Sequence, residues 1–303
     1  MKKLLRFLAV MGTLCSFTPK ASGADSQENV KTKADVSVFA NTEQVDDKAT
    51  FGDVTVKPNF EAEIGEHTFR YTGAFYNWGY TDRTHGNWMT FQSRFQLENP
   101  DWNFQVGRMQ LRPDYVTYMT TPMTTTLDND IMASGTSRIF TGMHLAHKQT
   151  GLGVGVYSSD TRMDPAHWDS GLVTWEHRFG KEWGVAALIG AGDKGFQNAG
   201  LTASYMPTDK TSVVAEGIYK DKTTHGILGV NHKLTDTLTA FAGLKLDKPD
   251  QGKVGGWAAA GLSYNLGKGF SLVGAIQQGI GGTHETHGII GLRYFGNFAA
   301  TGQ

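Results

Sequence analysis

A single cysteine in 303 residues excludes a disulfide framework. Because Cys15 lies in an N-terminal leader, the exported chain has no thiol for metal binding or nucleophilic attack. Proline is scarce, at 8 residues, and mean hydropathy is −0.33. After residue 24 no run approaches the ~20 consecutive apolar residues of a membrane helix, which excludes a helical membrane bundle. A net charge of −1 removes the basic footprint of a nucleic-acid binder. The chain has no P-loop, no dinucleotide fingerprint and no Cys/His metal signature. What is abundant is glycine (38), with 17 Phe, 10 Tyr and 7 Trp, a composition that favours strands over helices or disorder.

Residues 1–24 read as a signal peptide. Lys2, Lys3 and Arg6 precede a mostly apolar run from Phe7 to Phe17, and Ala21-Ser22-Gly23-Ala24 supplies small residues for cleavage. The run is too short to span a bilayer, and Thr13-Leu14 before Cys15 lacks the small residues of a lipoprotein site. Cleavage removes Lys2, Lys3, Arg6 and Lys20 but no acid, so 24 of the 28 basic residues then face 29 acidic ones, a net −5. Residues 25–33 are polar and unpatterned, a mobile periplasmic leader. From 34 to 298 the texture is uniform, as expected of one domain, and 299–303 form a short tail.

Alternation with period two defines that domain. Phe91, Ser93, Phe95 and Leu97 oppose Gln92, Arg94, Gln96 and Glu98; Leu238, Ala240, Ala242, Leu244 and Leu246 oppose Thr239, Phe241, Gly243 and Lys245. Sixteen such segments are expected near 34–40, 53–64, 68–79, 88–98, 101–111, 137–148, 151–158, 170–179, 182–191, 196–206, 210–220, 224–234, 237–246, 253–266, 269–278 and 286–298. Even-numbered gaps are tight, as at Gly65-Glu66-His67, Asn99-Pro100 and Gly180-Lys181. Odd-numbered gaps are longer, as at Asn41 to Gly52, Tyr80 to Asn87 and Arg112 to Thr136, with modest exceptions at Gly192 to Gly195 and Asp221 to Thr223. The predicted fold is therefore all-β, a transmembrane antiparallel β-barrel with long outer loops and short periplasmic turns. A soluble sandwich or solenoid competes weakly with it, and a count of fourteen strands stays open.

Trp102, Trp183 and Phe270 each follow a tight turn, the place of an interfacial aromatic girdle. The segment Gly288 to Phe298 resembles the closing strand of outer-membrane proteins, although Ala299 to Gln303 trail behind it. The layout as a whole resembles the sixteen-stranded porins of Gram-negative outer membranes. That resemblance implies an outer-membrane homotrimer passing small hydrophilic solutes or ions, without a cofactor or catalytic residue. It also implies that the longest connection, 112–136, folds into the barrel as a constriction. Val106-Gly107-Arg108-Met109-Gln110 is similar to the Gly-Arg pair before that loop in several substrate-selective porins.

By phase, the inward basic residues are Arg70, Arg94, Arg138, Lys148, Arg178, Lys220, Lys233, Lys245 and Arg293. The inward acids are Glu61, Glu63, Glu98, Glu176 and Glu216. Arg108 falls on the apolar phase of Trp102, Phe104 and Val106; a bulge at Gly107 would turn it inward, and otherwise it sits beyond the membrane belt. Excess lumen cations predict a modest anion preference, with Arg70, Arg94 and Arg108 facing Asp114, Asp128 and Asp130 of the long loop. Charge pairing that only stiffens the wall is the competing outcome. Two further functions compete with a porin. One is a non-conducting adhesion or structural barrel. The other is a barrel hydrolase, for which Asp169 with His167 is the nearest pair, although no spacing singles it out. His284 and His287, with His85 and His225 on the same rim, would need a turn between them to hold a metal.

Overall fold

The structure is a computed structural model that describes residues 31–45, 49–80, 89–110, 139–158, 169–192, 195–220, 222–281 and 285–300. The expected signal peptide, 1–24, lies outside them, as does nearly all of the expected leader. Sixteen strands run in chain order: β1 (Lys31–Val45), β2 (Ala49–Ile64), β3 (His67–Tyr80), β4 (Met89–Glu98), β5 (Trp102–Gln110), β6 (Ile139–His147), β7 (Leu152–Ser158) and β8 (Ser170–Phe179). There follow β9 (Trp183–Gly192), β10 (Gly195–Thr208), β11 (Thr211–Lys220), β12 (Thr223–Lys233), β13 (Leu238–Pro249), β14 (Gly255–Gly267), β15 (Phe270–Ile280) and β16 (Thr286–Ala300). Each pairs antiparallel with its neighbours in sequence. β1 closes on β16, with Val36 opposite Phe298 and Val45 opposite Ile289, to make a complete barrel. Closure leaves the sheet without an edge, the condition for placing strands in hydrocarbon.

The alternation read from sequence becomes two faces. On β15, Leu272, Gly274 and Ile276 are exposed, whereas Val273, Ala275 and Gln277 are buried. The outer face presents large apolar side chains to the surroundings, with Ile276 at 64% and Ile290 at 67% exposure. So much uncovered aliphatic surface suits a bilayer, not water. Trp102, Trp183 and Phe270 open β5, β9 and β15 directly after tight turns. Each lies against a ring of the next strand: Trp102 on His147 (4.7 Å between centroids), Trp183 on Tyr205 (4.2 Å) and Phe270 on Tyr294 (4.8 Å). That is girdle geometry on the tight-turn rim.

Strand ends differ from expectation at both termini and at the first connection. β1 begins at Lys31 and β16 reaches Ala300, so the barrel takes residues from the expected leader and tail. The polar run from Asn41 to Gly52 reads as a loop, yet β1 continues to Val45 and β2 restarts at Ala49. Beyond the bilayer a strand needs backbone partners, not apolar side chains, and each strand supplies them to the other. On that rim the long connections cluster at 81–88, 111–138 and 159–169, whereas 221–222 and 281–285 are short. The opposite rim turns tightly throughout. In Gly267-Lys268-Gly269 all three residues take positive φ (84°, 51° and 85°), a shape the flanking glycines accept without steric cost.

Candidate functional site

The inner face divides into two walls. Across β2–β6 the register stacks polar residues into rows around the barrel. One row is Glu61, Arg70, Gln96, Gln105 and His144, each opposite the next. Arg70 binds Glu61 through Nε (2.8 Å) and Nη2 (2.7 Å) and reaches Glu98 through Nη1 at 3.5 Å. Lys148 pairs with the other oxygen of Glu98, and the Gln96 amide donates to Glu98 at 3.2 Å. Arg94 donates to Gln105 at 3.2 Å. Two cations thus meet two carboxylates in one connected network, which holds these long side chains in place while leaving little local net charge.

Glycine shapes the neighbouring surface. The ring of His144 lies across Gly153 of β7 and bonds Thr174 of β8 at 2.9 Å. A Cβ at Gly153 would collide with that ring, so the contact from β6 to β8 depends on a strand without a side chain at that point.

The wall of β11–β16 is different in kind. Ile218, Ile227, Phe241, Ala259, Val273, Ala275 and Ile289 form one buried apolar cluster, with Trp257 packed against it. On the same phase, toward the long-loop rim, Lys245 pairs with Asp247 at 3.3 Å, and His225 Nδ1 lies 2.5 Å from Asp247. Toward the tight-turn rim a cavity of about 1190 Å³ opens, lined by Arg178, Lys181, Lys210, Lys233 and Arg293 among others. Glu182 and Asp209 are its acidic lining residues, and Phe39 and Phe295 its aromatic side chains on the inward phase.

The structure therefore sorts the residues nominated from sequence. Arg70, Arg94 and Glu98 come together on the polar wall, and Lys233 and Arg293 together in the cavity. Lys245 stands apart from both, already paired. The ladder passes Gly107 with no register shift, so no bulge there turns Arg108 inward. Gly107 instead takes φ +123°, where a Cβ would strike the Ser93 carbonyl. Arg108 sits opposite Ser93 and Thr141, not on the rung of Arg94. Asp114, Asp128 and Asp130, with the expected constriction loop 112–136, lie outside the described residues, as do Arg138, His85, His167 and His284. Glu216 accepts a hydrogen bond from Thr202 at 2.5 Å. Among the described residues no three His, Cys, Asp or Glu gather into a metal-holding group. Sequence reasoning missed Asp247, which reads as loop but lies inside β13, and Phe39, whose alternation alone signals nothing special.

No family model matches the chain, and no curated protein matches it. Solved structures do. An engineered variant of Rh. blastica porin superposes with a TM-score of 0.59 at 12% identity, over 88% of this chain and 100% of its own. Two other variants of that porin give TM-scores of 0.57 and 0.55, each at 11% identity and the same coverage. The fold is the sixteen-stranded porin barrel.

Proposed function

We propose that this chain is an outer-membrane porin of a Gram-negative bacterium, exported by its 1–24 signal peptide, through which small hydrophilic solutes and ions diffuse passively. The observation that carries this reading is the conjunction of a closed barrel, an apolar outer face and an inner wall bearing hydrogen-bonded polar rows. A hydrolase would instead need a nucleophile and base at reacting distance. Single-channel recording of the purified protein in a planar bilayer tests it. Discrete, ohmic conductance steps are expected, and their absence from folded protein would refute the pore.

Modest anion preference belongs to the same proposal. Its support is the five cations that line the cavity against two carboxylates, together with Arg94 on the polar wall. A homotrimer is proposed on the strength of the porin fold; a detergent-corrected mass equal to one chain would remove it.

A further inference from the structure

We infer that the cavity at the tight-turn rim is a binding site for organic anions with an aromatic body, so that this pore handles such carboxylates differently from small inorganic anions. The inference deepens the porin reading and rests on it for its physiological meaning.

The first support is charge. The lining holds five cations, Arg178, Lys181, Lys210, Lys233 and Arg293, and two acids, Glu182 and Asp209. The network around Arg70, by contrast, balances its cations against Glu61 and Glu98. A net positive concavity with low-dielectric walls concentrates anions. The second support is aromatic surface placed beside that charge. Phe39 of β1 and Phe295 of β16 occupy one rung, and Arg293 stands two residues along the same face. Its guanidinium lies 6.0 Å from the centre of the Phe39 ring, and Phe295 is 57% exposed. A carboxylate held by Arg293, in the field of the other lining cations such as Lys233, would therefore lay an attached ring against Phe39 and Phe295, where offset or edge contact is favourable. The third support is size: about 1190 Å³ is ample for a small aromatic acid. Acetate could use the charge but not the rings, and a benzylammonium ion the rings but not the charge.

The test uses the full exported chain in detergent and in bilayers. Equilibrium dialysis with labelled benzoate, acetate and benzylammonium measures occupancy independently of conduction, and current noise in the presence of each measures dwell in the pore. Benzoate should bind at least several-fold better than acetate, and benzylammonium should not bind. Replacing Arg293 and Lys233 together by Gln should weaken benzoate by about tenfold, as expected for losing a charge-assisted contact. Phe39→Ala should bring benzoate down toward acetate, a loss of about two- to fivefold. Lys248→Gln, which removes one positive charge on the opposite rim as Lys233→Gln does at the cavity, should alter nothing. If the double variant does not fold, exposed Lys233→Gln alone carries the test. Equal binding of benzoate and acetate, or no effect of the Gln replacements, overturns the site. Conductance without benzoate binding rejects this inference and leaves the porin; benzoate binding without conductance keeps the site and rejects the porin.

Discussion

The wall of β2–β6 and the wall of β11–β16 obey the same period-two rule and present the same kind of outer face, yet their inner faces have opposite chemistry. On one, Glu61, Arg70, Glu98 and Lys148 lock into a charge-balanced network. On the other, Phe241 (3% exposed) and Val273 (1%) sit in a packed apolar cluster, with Lys245 paired to Asp247 on its long-loop side and the cation-rich cavity at its tight-turn end. Alternation therefore decides which residues face inward, but not what the inner face is for. A balanced network stiffens a wall with little net field, whereas cations without enough local acids create one.

Breaking the apolar wall should have the largest effect. Phe241→Ala removes a buried ring from the cluster and should cost about 3–5 kcal/mol, read as a lower urea midpoint for folding into lipid vesicles. Gln105→Ala on the polar wall should cost far less, and equal losses would erase the energetic distinction between the walls. Next comes the outer face both walls share: Ile276→Arg, at the middle of β15, should destabilise the folded barrel in vesicles by about 2–4 kcal/mol. If it is tolerated, β15 does not face lipid at that depth.

Selectivity sharpens the comparison further. Glu98→Gln leaves Arg70 and Lys148 with one acid fewer, and should move the zero-current potential in a KCl gradient toward the anion limit. Arg94→Glu should move it toward cations. Both shifts are fractions of the ~59 mV that a tenfold monovalent gradient allows. Both should shrink above ~1 M salt, where the screening length falls to ~3 Å. An unmoved potential in both variants would place the selectivity-determining charge away from the polar wall. The smallest expected effect belongs to the girdle. A double-mutant cycle on Trp183 and Tyr205, stacked at 4.2 Å, should return a coupling of about 0.5–1.5 kcal/mol. Zero coupling would leave each ring acting alone at the interface.

The strand phase was legible because it is local: Val273 and Gln277 on one face of β15 and Leu272 and Ile276 on the other follow from alternation along one segment. The tight turns were legible for the same reason, since Gly65, Gly180 and Gly267 mark places where φ turns positive. Strand ends outside the bilayer were not. The segment from Asn41 to Val45 looks like a loop, and Asp247 like the start of one. Each extends a strand because a neighbouring strand lies there to pair with it, and neighbours are set by closure.

The candidate site divides along the same line. Sequence alone determined a run of amphipathic strands without cysteine, and it nominated Arg70, Arg94, Lys233 and Arg293 as inward. Only the tertiary structure decided that Arg70 is neutralised by acids from β2 and β4, residues nine and twenty-eight positions away. It also decided that Arg293 shares a cavity with Phe39 and with the cations of two separate turns. The reason is physical. Facing direction is a property of one strand's backbone, whereas the net charge and shape of a wall are sums over strands whose order and register exist only once the sheet has closed.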